Sequence, residues 1–169
     1  MCQNKVHEAA YLYFLEPEVS GGHGERTVYG TEEDVKRGGI SGKVKFLHYE
    51  FDGWLGDELV ESTPAFIVSS RLAEGLKQSE FKGFTLQDCL VTASDEFEEL
   101  YPDIELPNFV RFIPQGTVEL EGEQFKNWSG HDFCLSAKGE LVVTEKALAF
   151  LNNYSINNCE IVVLGHRED

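Results

Sequence analysis

Pro64–Thr92 reads PAFIVSSRLAEGLKQSEFKGFTLQDCLVT, and Gly139–Leu164 reads GELVVTEKALAFLNNYSINNCEIVVL. A shift of 75 positions superposes Phe66-Ile67-Val68-Ser69 on Leu141-Val142-Val143-Thr144. The same shift sets Arg71 on Lys146, Leu76 on Leu151, Phe81 on Ile156 and Gly83 on Asn158. Each stretch predicts a β-branched strand, a hydroxyl N-cap, two to three helical turns, a turn residue tolerant of positive φ, and a second strand. Ser69 and Thr144 suit the caps, because a side-chain oxygen there accepts an orphan amide of the first turn. Leu72 and Leu76, then Leu148 and Leu151, recur at helical spacing, so both helices are expected to pack on one sheet formed by the flanking strands. Common descent and convergence on a common unit both explain the match. Two copies fall short of a solenoid. The expected class is α+β: a mixed β-sheet packed by a few helices, with two similar strand–helix–strand units at 64–92 and 139–164.

Upstream, Ala10–Leu15 (AYLYFL) reads as an opening strand. Residues 16–42 are rich in glycine and charge and read as loop, with one strand expected at Arg26–Tyr29. Lys43–Phe51 (KVKFLHYEF) partly alternates, which predicts one strand with a wet face. Asp52–Glu61 (DGWLGDELVE) reads as a short helical turn among glycines. Ser94–Tyr101 (SDEFEELY) is an acidic helix capped by Ser94 and stopped by Pro102. Asn108–Ile113, Gly116–Leu120 and Phe133–Ser136 read as further strands.

The 169 residues suit a single domain spanning 1–169, and 41% hydrophobic with 12% aromatic content supplies a core. Asp and Glu total 30 against 14 Lys and Arg, a formal net charge of −16. That balance argues against binding nucleic acid, which needs clustered cations, and against docking on anionic lipid. A basic protein is the natural complement. Met1–Ala10 lacks the basic and apolar regions of a signal peptide, and no apolar run is long enough to span a bilayer. Cys2, Cys89, Cys134 and Cys159 show no CxxC spacing. They read first as free thiols in a reducing cytoplasm, with a disulfide or metal role as the lesser alternative.

Asp95, Glu96, Glu98, Glu99, Asp103 and Glu105 form the densest single-sign run in the chain, in a stretch without Lys or Arg. On a solvated helix such a run serves solubility or the docking of a basic partner; catalytic carboxylates need a desolvated cleft that separates their pKa values. His7, His23, His48, His131 and His166 show no metal-ligand spacing, so no metal or organic cofactor is expected. His23 lies in a glycine loop without a sequence partner, and a Cys134–His131 pair has nothing else behind it. Neither the GGISGK stretch nor GGHGE matches a phosphate-binding loop. Trp54 and Trp128, set among glycines and polar residues, read as core plugs or interface anchors.

Three segments taken together, Pro64–Leu76 (PAFIVSSRLAEGL), Phe97–Pro107 (FEELYPDIELP) and Leu141–Leu151 (LVVTEKALAFL), resemble small acidic bacterial proteins found beside polymorphic toxins. The resemblance covers about the last two thirds of the chain and leaves residues 16–42 without a counterpart. It implies a cytoplasmic immunity protein, not an enzyme, that binds and neutralises a cognate toxin domain. Because clefts that attack nucleic acids are cationic, the partner is expected to be basic. The expected partner-binding residues are the six acids from Asp95 to Glu105. The alternatives are a small α/β hydrolase or transferase assembled only in three dimensions, and an acidic binding module.

Overall fold

A computed structural model describes residues 11–167, so Met1–Ala10, with Cys2 and His7, lies outside the described residues. The chain opens with β1 (Tyr11–Glu16), β2 (Gly21–His23), β3 (Val28–Tyr29), α1 (Glu32–Gly38) and a 3-10 turn (Ile40–Lys43). Then come β4 (Val44–Phe46), β5 (His48–Phe51), β6 (Leu59–Ser62), β7 (Ala65–Ser69), α2 (Ser70–Gln78), β8 (Phe84–Gln87), β9 (Leu90–Ala93) and α3 (Asp95–Leu100). The last third holds β10 (Phe109–Pro114), β11 (Gly116–Thr117), β12 (Glu119–Glu121), β13 (Gln124–Lys126), β14 (Phe133–Leu135), β15 (Leu141–Val143), α4 (Glu145–Leu151) and β16 (Glu160–His166). The fold is α+β, as the pattern predicts.

A seven-stranded sheet runs β11-β14-β15-β1-β16-β13-β12, and a four-stranded sheet runs β6-β7-β10-β8. The two similar units are both present, and each is split by a strand from elsewhere in the chain. β10 lies antiparallel between β7 and β8, and β1 lies antiparallel between β15 and β16. Registers match as well. Phe112 faces Phe66 on one side and Leu86 on the other, while Leu15 faces Leu141 and Ile161. Both outer partners of Leu15 are those of Phe112 moved by the shift seen in sequence.

The caps repeat too. Ser69 Oγ accepts from Leu72 N at 3.1 Å and donates to Glu58 Oε1 at 2.8 Å. Thr144 Oγ1 accepts from Ala147 N at 3.2 Å and donates to Asp132 Oδ1 at 2.7 Å. Arg71 of α2 stacks 4.6 Å from the Tyr154 ring centre, and Lys146 of α4 lies 5.6 Å from that of Phe81. Equivalent cations thus reach across to an aromatic ring that follows the other helix.

The helices do not cover one sheet: β7 and β15 belong to different sheets. α2 and α4 nonetheless share one core, because Leu72 and Leu76 of one and Ala147 and Leu151 of the other pack with Phe66, Val68, Phe112, Leu15, Leu141 and Val143. Each fully buried leucine or phenylalanine there contributes about 1.5–3 kcal/mol. The opposite strand faces feed two further clusters. Ile67 joins Leu47, Tyr49, Phe51, Phe97 and Phe109; Val142 joins Leu12, Phe125, Cys134 and Leu164.

Several local expectations are corrected. Within 16–42, Val28–Tyr29 is a strand, but Glu32–Gly38 is a helix with no buried residue, held by a capping box between Thr31 and Asp34. Lys43–Phe51 is two strands in two sheets, with the pairing interrupted at buried Leu47. Asp52–Glu61 forms no helical turn; it is a loop leading into β6. Gly116–Leu120 breaks at Val118 into parts of β11 and β12. Gly83 has φ 81, whereas Asn158 is not in the left-handed region; its N–H and amide group donate to Asp57 at 2.8 and 3.0 Å.

Candidate functional site

α3 starts where Ser94 N donates to Phe51 O at 2.9 Å, which ties the helix to the end of β5. Ser94 Oγ accepts from Phe97 N at 3.1 Å, and acids in the first turn complement the helix N-terminus. Phe97, 2% exposed, anchors the inner face in the second cluster. The outer face carries Asp95, Glu96, Glu98 and Glu99, all exposed, and Asp103 and Glu105 follow, also exposed. The structure thus brings the six expected residues onto one exposed stretch. Among the described residues the ion pairs are Glu58–Arg71 and Glu121–Arg167, so none of the six is paired with a cation there. Leu100, Tyr101 and Ile104 are exposed alongside them.

His23, His48 and His131 and the three described thiols are engaged by neighbouring groups. His48 Nδ1 accepts from Arg26 N at 3.1 Å, which leaves Nε2–H to donate to Thr92 Oγ1 at 2.7 Å. His23 spends both ring nitrogens, on the Tyr29 hydroxyl and on Ser62 O. His131 Nδ1 lies 2.7 Å from Ser129 Oγ, and Trp128 Nε1 donates to its carbonyl at 2.9 Å. Asp132, which could orient a histidine, instead accepts from Thr144. Cys134 sits beside His131 O, and burial pushes its thiol up to about 11. Burial likewise raises Cys89 to about 11 and Cys159 to about 12, so all three are protonated, weak nucleophiles at neutral pH. No disulfide joins them. Among the described residues no three His, Cys, Asp or Glu side chains are grouped to hold a metal ion. No described helix is long and apolar enough to cross a membrane.

One cleft, about 650 Å³, runs from Val35 and Gly38–Ser41 to Ile113–Glu119, and Glu119 is the one ionisable side chain on its wall. A second, about 450 Å³, gathers Glu16, Glu18, Glu61, Glu140 and Glu160 with Lys138. These acids come from β1, β6, β16 and the loops between, and Glu16 faces Glu160 directly across the β1–β16 pair. Like charges at that position repel. Burial raises the Glu61 carboxyl, and the charges of Glu16 and Glu140 raise it further.

The chain matches no family model, no curated protein and no solved structure.

A third groove, about 470 Å³, adjoins the carboxylate cleft through Glu18, Val19 and Leu55, and continues past Asp52 and Trp54 to Tyr101 at the end of α3. Val19 and Leu55 are 68% and 73% exposed, the most open large apolar side chains described. The Leu55 backbone is fixed all the same. The Glu18 carboxylate accepts from Leu55 N at 2.7 Å and Asp57 N at 3.2 Å, and Trp54 Nε1 donates to Asp57 O at 2.9 Å. Trp54 packs edge-on against Phe109 with ring centres 6.2 Å apart. It is half-buried, so it serves as core plug and groove wall at once. Sequence reasoning singled out Trp54 but missed the groove and the carboxylate cleft. The signal available was Val19 and Leu55, lone aliphatic residues in acidic, glycine-rich loops.

Proposed function

We propose that this chain is a cytoplasmic immunity protein that binds a basic toxin domain and blocks it by occupying its surface. The observation that carries the reading is the outer face of α3 and the segment after it: six exposed carboxylates, without a cationic partner among the described residues, beside exposed Leu100, Tyr101 and Ile104. Apolar side chains within a charged border are the anatomy of a protein interface. The resemblance of Pro64–Leu76, Phe97–Pro107 and Leu141–Leu151 to immunity proteins supports the same reading.

In this reading the acids act mainly on encounter. A cationic surface is steered in by the negative field, and rim charges set association rate more than residence time. Asp95 and Glu99, one turn apart, repel by about 0.2–0.5 kcal/mol, which an incoming Arg or Lys relieves. The test expresses the domain encoded by the neighbouring gene, which this reading expects to be basic, and measures its association with wild type and with a Glu98→Lys, Glu99→Lys, Asp103→Lys variant at two ionic strengths. The variant should associate at least tenfold more slowly at low salt and converge with wild type at high salt. Absence of binding to wild type refutes the reading; equal rates at low salt assign these acids to solubility.

A further inference from the structure

We propose that the groove bounded by Val19, Trp54, Leu55 and Tyr101 receives an apolar side chain from a basic segment of the partner, whose neighbouring Lys or Arg side chains enter the adjoining carboxylate cleft. The inference rests on the reading of the chain as an inhibitor of a basic protein and locates the anchor of that contact away from the outer face of α3.

Exposed aliphatic side chains scattered singly are ordinary, but here they converge. Val19, Leu55 and Tyr101, at 68%, 73% and 48% exposure, border the same groove, with Trp54 as a wall. Presentation of Leu55 has no return in packing, yet its loop is held rigidly: Glu18 grips the amides of Leu55 and Asp57, and Gly56 adopts φ 109 to turn the chain between them. A rigid apolar anchor loses little freedom on binding, which is how a small contact becomes a strong one.

Charge complementarity identifies the occupant. Val19 and Leu55 form the ridge between the groove and the cleft, so a side chain seated on one side has neighbours over Glu16, Glu61, Glu140 and Glu160 on the other. Lys138 alone offsets those charges on the cleft wall. Glu16 and Glu160 already oppose each other across the strands, and Glu61 is held partly desolvated beside Glu16 and Glu140. A guanidinium or ammonium group relieves all of these at once. An acidic or neutral apolar partner gains none of this, and a second copy of the chain would bring a further −16 of charge.

The experiment titrates the isotopically labelled full chain with two synthetic peptides, one with Leu-Phe between pairs of lysines and one with Ser-Gly in its place. The expected result is movement of the Trp54 indole N–H and the Val19, Leu55 and Tyr101 amides, with at least threefold tighter binding of the Leu-Phe peptide. Leu55→Asp, at an exposed position, should remove that preference and leave the spectrum otherwise native; Tyr101→Ser should weaken it. Equal binding of the two peptides, shifts confined to α3, or no shifts overturn the groove. The domain encoded by the neighbouring gene, which the inhibitor reading expects to be basic, separates the two readings. If it binds wild type and both variants with the same Kd, the groove fails and the inhibitor reading stands. If it binds none of them while the Leu-Phe peptide binds wild type selectively, the inhibitor reading fails and the groove stands.

Discussion

Replacing Glu58 with glutamine keeps the shape of the side chain and turns one acceptor oxygen into a donor. Glu58 Oε1 accepts from Ser69 Oγ at 2.8 Å and Arg71 Nε at 3.0 Å; Oε2 accepts from Arg71 Nη2 at 2.9 Å and Ser155 N at 2.8 Å. Whichever way the amide lies, its nitrogen faces at least one N–H that cannot accept. The least costly orientation puts the amide nitrogen beside Ser69, whose hydroxyl can turn to accept, and leaves Arg71 Nε without its partner. Because the Arg71 side chain is 65% exposed, water takes over that donor, and the cost of Glu58→Gln is about 1–2 kcal/mol. Glu58→Ala also strands Ser155 N–H and the Ser69 hydroxyl, which raises the cost to about 3–4 kcal/mol. At about 2–4 °C per kcal/mol for a chain of this size, the alanine variant should melt about 6–16 °C lower. Urea unfolding followed by far-UV circular dichroism at pH 7 measures both variants, and hydrogen exchange at the Ser155 amide reports the contact itself. Burial opposes ionisation of Glu58, but the bonds from Arg71, Ser155 and Ser69 outweigh it and hold the carboxyl below its ordinary value. Its stabilisation is therefore present above the unfolded carboxylate pKa of about 4.3 and lost as pH falls through the lower folded value. The gap between wild type and Glu58→Gln should start to narrow as pH falls through about 4.3 and close only once pH passes the lower folded value. An alanine variant within about 0.5 kcal/mol of wild type, with Ser155 still protected, would refute the reasoning.

Gly75→Ala, which in an exposed helix adds about 1 kcal/mol of stability, should destabilise here: a Cβ at Gly75 collides with the Tyr154 hydroxyl, and the ring is stacked on Arg71. A raised thermal midpoint would show that Tyr154 yields freely. Glu61 works in the opposite sense to Glu58, since burial and the neighbouring Glu16 and Glu140 raise its pKa. Ionisation then costs stability at neutral pH, so Glu61→Gln should melt higher than wild type at pH 7 and match it once pH falls below the unfolded value near 4.3; equal melting at pH 7 counts against the desolvated cleft. Arg111, 1% exposed, donates to Val44 O at 2.7 Å and Ser41 O at 3.1 Å, and burial lowers its pKa. A lysine there reaches fewer carbonyls from one nitrogen, so Arg111→Lys should cost about 1–3 kcal/mol in urea unfolding and Arg111→Met more.

What the sequence made legible were features carried by neighbours in the chain. Ser69 and Thr144 announced their helices because capping chemistry is local, as did Ser94 ahead of its acidic helix. The α1 helix was missed because it buries no residue, so it has no apolar periodicity, although Thr31 and Asp34 already stood at capping-box spacing. The break at Leu47 was invisible because a half-wet strand and two short strands share the same alternation. Nothing local says that β1 pairs with β15 and β16, or that Arg111 occupies the position Phe14 holds in the other unit. The same holds for the sites. The α3 acids were readable as a contiguous run, whereas Glu16, Glu61, Glu140 and Glu160 meet only when distant strands align, and Leu55 looks like any loop leucine until its neighbours are placed.

The strand exchange between the two units bears on how the protein is made. β1 emerges from the ribosome long before β15 and β16, the strands that flank it, so it must wait unpaired while most of the chain is translated. During that wait Leu12 and Leu15, both buried at the end, are open to chaperones and to wrong partners. A chain severed between α3 and β10 gives one piece that lacks β10, an inner strand of its four-stranded sheet, and another that lacks β1. Each piece carries what the other needs. Each fragment is therefore expected to complete its sheet only on meeting the other.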